Sequence, residues 1–94
     1  MLSNVIDSLT ANLGERFEQG VSRVGDNLYV CFADDPRVLK VIVSPTAPSE
    51  LRITLVAVDP QHGPIDQASF IHTRSQNLTA CLEPLDAFLA VWFD

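Results

Sequence analysis

Between Gly25 and Val43 the chain reads GDNLYVCFADDPRVLKVIV, and no other stretch narrows the possible folds as far. Leu28, Val30 and Phe32 alternate with Tyr29, Cys31 and Ala33, the period of two that sends successive side chains to opposite faces of a strand. Asp34-Asp35-Pro36-Arg37 then reads as a tight reversal. Asp35 suits the first position of a type I turn and Pro36 the second, where proline's fixed φ is already correct. Val38 to Val43 is the returning strand. Lys40 must face water, so Leu39, Val41 and Val43 face the core and meet Leu28, Val30 and Phe32 there. A slip of one residue would exchange the two faces, and Lys40 argues against it.

On either side of this hairpin the pattern extends to a whole domain. Leu2, Val5, Ile6, Leu9, Leu13 and Phe17 recur at spacings of three and four, so residues 3–19 are expected to form an amphipathic helix. Ser3 or Asn4 is placed to cap its start and Gly20 to end it in a left-handed conformation. Val21 to Val24 is a short extended segment leading into a Gly25-Asp26-Asn27 turn. Two prolines in Ser44–Glu50 make that segment a stiff connection. Leu51 to Val58 is the clearest strand, with Leu51, Ile53, Leu55 and Ala57 on one face. After the turn-rich 59–64, Ile65 to Thr73 is a last strand whose Ala68 and Phe70 could join the core. From Asn77 onward the helical period returns in Leu78, Cys81, Leu82, Leu85, Phe88, Leu89 and Trp92. Pro84 interrupts it, and proline's preference for a first helical turn favours a helix beginning near Glu83 over one kinked helix.

The expected fold is therefore α+β: residues 1–94 form a single domain. An antiparallel meander of four to five strands is joined by an N-terminal and a C-terminal helix in a two-layer sandwich. Ninety-four residues leave no room for a second core.

Charge removes several functions from consideration. Twelve acids against five Arg and one Lys give a net charge of −6, which phosphate backbones repel, so direct nucleic-acid binding is not expected. No apolar run reaches the ~18 residues of a membrane span, and MLSNVIDSLT lacks the basic region of a secretory signal. Cys31 and Cys81 lie far apart in apolar company and make no CxxC, which suits buried free thiols in a reducing, cytoplasmic setting.

Chemistry-bearing motifs are sparse. His62, His72, Cys31, Cys81 and Asp59 are the available soft-metal ligands, but none are paired at the spacing of two to four that aims two donors at one ion. There is no GxSxG and no phosphate-cradling glycine loop. Neither enzyme activity, a metal nor a cofactor is expected.

The outward face of the sheet is a better candidate for function. On this register it presents Tyr29, Cys31, Val38, Lys40, Ile42, Arg52, Thr54, Val56 and Ile71, too apolar a set for water alone. Either the C-terminal helix covers it, giving three layers, or it is free to bind. Phe93 falls off the helical stripe and is expected to stay exposed as a second anchor. The expected function is a non-catalytic protein-binding domain, a small acidic adaptor that acts as a homodimer through a sheet face or an edge strand. Tyr29, Val38, Ile42, Val56 and Phe93 would make its apolar contacts, and Asp34 and Asp35 would steer it to a basic protein partner. In outline, a leading helix ending in LGERF and a hairpin with an acidic turn resemble small acidic secretion chaperones. That resemblance spans the first half of the chain and implies client binding without catalysis. The alternative is a small inhibitor or immunity-type protein, phage or toxin-neutralising, whose acids block a nucleic-acid-binding surface on its partner.

Overall fold

A computed structural model describes residues 2–16, 20–32, 34–73, 76–77 and 79–93. Helix α1 (Leu2–Arg16) is followed by strands β1 (Val21–Val24), β2 (Asn27–Phe32), β3 (Asp35–Ala47), β4 (Glu50–Asp59) and β5 (Gly63–Thr73), and by helix α2 (Thr79–Trp92). The strands form one antiparallel sheet in the order β1-β2-β3-β4-β5, each paired with its neighbour in sequence. The expected α+β meander is the fold.

The hairpin register is the one the alternation gives. Leu28 stands opposite Val41, Val41 opposite Leu55, and Val30 opposite Leu39. All five side chains are buried, together with Val43, Leu51, Ile53 and Ala57. Val5, Ile6, Leu9 and Leu13 of α1 and Cys81, Leu85, Phe88 and Leu89 of α2 join the same cluster. Both helices thus lie on one face of the sheet. The molecule has two layers, and the covered-face alternative is not what it adopts.

The reversals show where local chemistry departs from simple expectation. Gly25 has φ 62° while no described non-glycine residue has positive φ, so Gly25-Asp26 between Val24 and Asn27 is a type II′ turn, which matches the strand twist. The reversal after β2 falls earlier than Asp35-Pro36. Phe32 stands opposite Asp35, and the ladder resumes at Cys31 opposite Val38, leaving Pro36 and Arg37 as an irregularity within β3. Proline has no N–H to give a ladder, and the Arg37 N–H donates to Asp35 Oδ1 at 2.9 Å instead.

The supposed stiff connection Ser44–Glu50 is also largely strand. Ser44 and Pro45 pair with Arg52 and Leu51, Thr46 is bulged out, and only Pro48-Ser49 turns. With no positive φ there, the turn is of neither primed type, and the bulge at Thr46 accompanies it. After β4, Asp59 Oδ1 accepts from the N–H groups of Gln61 and His62 at 2.8 and 3.1 Å, and Gly63 at φ 77° brings the chain back.

Three expectations about the helices change. Leu2 is already helical, so Ser3 and Asn4 sit inside the first turn and do not precede it. Phe17, the approach to Gly20 and Leu78 lie outside the described residues; Gly20 does not take the left-handed conformation expected of it, and its carbonyl accepts from the Cys31 N–H at 2.7 Å just ahead of β1. Helix α2 is continuous across Pro84, its sixth residue, and does not begin near Glu83. Pro84 lies past the first four N–H groups, which have no helical partner, so it denies the Ala80 carbonyl its donor and the helix continues despite that loss. Burial of Cys81 ahead of it and Leu85, Phe88 and Leu89 behind it keeps both halves on the sheet.

Candidate functional site

With both helices on one side, the other face of the sheet carries no layer among the described residues. Register places Tyr29, Lys40, Val56 and Gln67 in one row across β2 to β5, with Asn27, Ile42, Thr54 and Ser69 in the row beside it. Cys31, Val38 and Val58 make the next row on the other side. Tyr29, Val38, Ile42 and Val58 are half-buried, and Val56 at the centre is only 7% exposed because its neighbours crowd it. Tyr29, Val38, Ile42 and Val56 share this face, and Val58 belongs with them. An antiparallel sheet with a solvated face normally makes that face polar.

Three of the polar side chains on this face have partners within it. Lys40 Nζ lies 5.6 Å from the centre of the Tyr29 ring, a cation–π distance. The hydroxyls of Thr54 and Ser69 are 3.0 Å apart. Arg52 is exposed and, with Ser69, Phe70 and Ile71, lines an open depression of about 320 Å³ at the β4–β5 side. Neither His62 nor His72 lines it. The charges on this face are cationic at Lys40 and Arg52 and anionic at Glu50, at the end of β4.

The acids of the hairpin behave unequally. Asp34 is exposed. Asp35 is engaged by Arg37 in a fork, Nη2 to Oδ2 at 2.6 Å and Nε to Oδ1 at 3.0 Å. Those side-chain bonds, helped by the Arg37 backbone N–H, hold the Asp35 carboxyl below its ordinary range. The same guanidinium lies 5.4 Å from the Phe93 ring centre, and Phe93 stacks on Phe32 with centroids 4.3 Å apart. Phe93 is therefore half-buried against the core and not the exposed anchor expected of it. A residue one step off a helical stripe still reaches the sheet when, as here, it follows the last turn, and its N–H donates to the Leu89 carbonyl at 2.8 Å. Trp92 packs on the same side and donates from Nε1 to Asp66 Oδ2 at 2.8 Å.

One pair was not visible in the spacing. His72 Nδ1 and Cys81 Sγ are 3.0 Å apart, both buried between β5 and α2. Desolvation pushes the Cys81 thiol up to about 11. A catalytic thiol needs the opposite shift, since the thiolate is the nucleophile. The pair instead satisfies two polar groups inside the core. Its one signal in the sequence was His72 sharing the parity of Phe70, which already pointed inward. Cys31 lies on the opposite face and is exposed, contrary to the expectation that both thiols are buried.

Among the described residues no three His, Cys, Asp or Glu side chains gather as metal ligands, and no helix is long and apolar enough to cross a membrane. Comparison with protein-family models, curated proteins and solved structures gave no match to this chain.

Proposed function

We propose that this domain is a non-catalytic protein-binding module that holds a partner protein on the open face of its sheet. The observation that carries this reading is the set Tyr29, Val38, Ile42 and Val58, spread over three adjacent strands opposite both helices, with Val56 filling the space between them. Apolar surface of this extent stabilises a complex by roughly 25 cal/mol per Å² removed from water, before the cost of association. The two hairpin acids are a weaker basis for the inhibitor reading, because Asp35 is already matched by Arg37. Acid steering towards a basic partner would come from Asp34 at the rim and from the helical side.

The test compares capture of partners from the native host by the wild-type chain, by Tyr29→Glu and Val56→Glu, and by Val91→Glu. Val91 is 73% exposed on α2 and serves as a control on the other side of the molecule. A partner bound through the face is lost with the first two variants and kept with the third, and added salt slows its association while changing its affinity little. A partner that survives Tyr29→Glu and Val56→Glu, in variants with unchanged circular dichroism, sinks the reading.

A further inference from the structure

The two edges of the sheet are unlike. Strand β1 has four residues and carries Arg23, whose guanidinium is held by Asp7 of α1 at 2.7 Å. Strand β5 has eleven, and every residue from Pro64 to Ser69 is exposed. Natural edge strands are guarded by shortness, lysine, proline or a covering element. Beyond Pro64 and the bulge at Ile65 near its start, β5 has no such guard among the described residues: it contains no Lys, and its one acid, Asp66, is turned to Trp92.

Backbone polarity along this edge can be read from its end. The Thr73 N–H donates to Gln76 Oε1 at 2.8 Å and its carbonyl accepts from the Gln76 N–H at 3.0 Å, so both groups point away from β4. Alternation along an antiparallel strand then aims the N–H and C=O of Ile71, Ser69 and Gln67 outward as well, while Ala68 and Phe70 bond to β4. The side chains add a second regularity. Of the large apolar residues exposed on the described chain, two lie on β5: Ile65 at 37% and Ile71 at 43%. They stand three residues either side of Ala68.

We propose that two copies of this chain associate by antiparallel pairing of β5 with β5, about a two-fold axis at Ala68. Each copy's Gln67 then stands opposite the other's Ser69, exchanging the outward N–H and C=O groups, and each Ile65 meets the other copy's Ile71. The contact is isologous, so a single pairing satisfies both edges and closes. It joins two five-stranded sheets into one, with their open faces continuous across the axis. No like charges oppose each other in this register.

The inference is separate from the binding of a partner on the open face, and the two fail separately. Light scattering after gel filtration should give the mass of two chains for the wild type and for Tyr29→Glu. Gln67→Pro should give one chain, because proline deletes an outward N–H that β4 does not use and so leaves the fold intact. Ile71→Lys, which opposes a lysine to Ile65, should do the same and stands in should the proline variant misfold. With Cys31→Ser removing the exposed thiol, Ala68→Cys should crosslink under mild oxidation, since a pair lacking mutual hydrogen bonds brings Cα atoms to about 4.5 Å. A wild-type chain that is monomeric at every concentration overturns the proposal. So does a dimer that survives both edge variants and does not crosslink at position 68, or an edge that captures only an extended peptide of another protein.

Discussion

Replacing Pro84 by alanine should stabilise the domain by about 2 kcal/mol, and the figure follows from where the proline sits. As the sixth residue of α2 it lies past the turn in which N–H groups are unpaired anyway, so its ring denies the Ala80 carbonyl a donor. Proline in a helix interior costs about 3 kcal/mol relative to alanine. Against this, Pro84 is half-buried, and alanine would forfeit two methylenes at roughly 0.4 kcal/mol each when half removed from water. The remaining gain of about 2 kcal/mol corresponds to roughly 8–16 °C in Tm for a domain of this size. Urea titration followed by far-ultraviolet circular dichroism measures it directly, with the slope expected to stay unchanged. A change within about 0.5 kcal/mol of zero, or a loss, would show that the proline opens a helix at Glu83 and that residues 79–82 form a separate turn.

Three further predictions rest on single residues. Gly14 sits inside α1 with nothing within 4 Å of where a Cβ would lie, so Gly14→Ala should add about 0.5–1 kcal/mol, seen as a higher thermal midpoint. Cys81 should make stability fall in alkali. The folded thiol keeps its proton up to about 11 while the unfolded one loses it near 9.0, so its contribution is whole below pH 9 and disappears as pH rises through 11. Denaturant titrations across that range should show the decline, and Cys81→Ala should flatten it. Iodoacetamide at neutral pH should label Cys31 alone until the chain is unfolded.

The strand faces were legible because a single charge settled them. With Lys40 outward, parity assigned Leu39, Val41 and Val43 inward, and pairing carried the same assignment to Leu28, Leu55 and Ile53. The side on which α2 lies was not legible. Its apolar stripe would suit either face of the sheet, and the decision rests on α1 leaving the inner side of β4 and β5 open. Proline at 36 suggests a turn and at 45 a break in the strand, yet irregular pairing at Pro36-Arg37 and a bulge at Thr46 accommodate both within β3. Of the candidate site, Tyr29, Val38, Ile42 and Val56 came together as their parity required. Phe93 did not remain exposed, because the partner it stacks on, Phe32, lies 61 positions away and no local period encodes that contact. The hydrogen bond from Trp92 to Asp66 was hidden in the same way.

The strictly sequential strand order has a consequence for how the chain is made. Each strand can pair as soon as its successor leaves the ribosome, so only short loops need closing and little loop entropy is lost at any step. Yet Leu51, Ile53 and Leu55 share their core with Leu85, Phe88 and Leu89, which are synthesised some thirty positions later. A nascent chain released as far as Thr73 therefore holds all five strands with α1 on their inner side, while the part of that side which α2 will cover and the whole outer face stay open together. That is the interval in which it is most exposed to aggregation, and it ends when α2 docks.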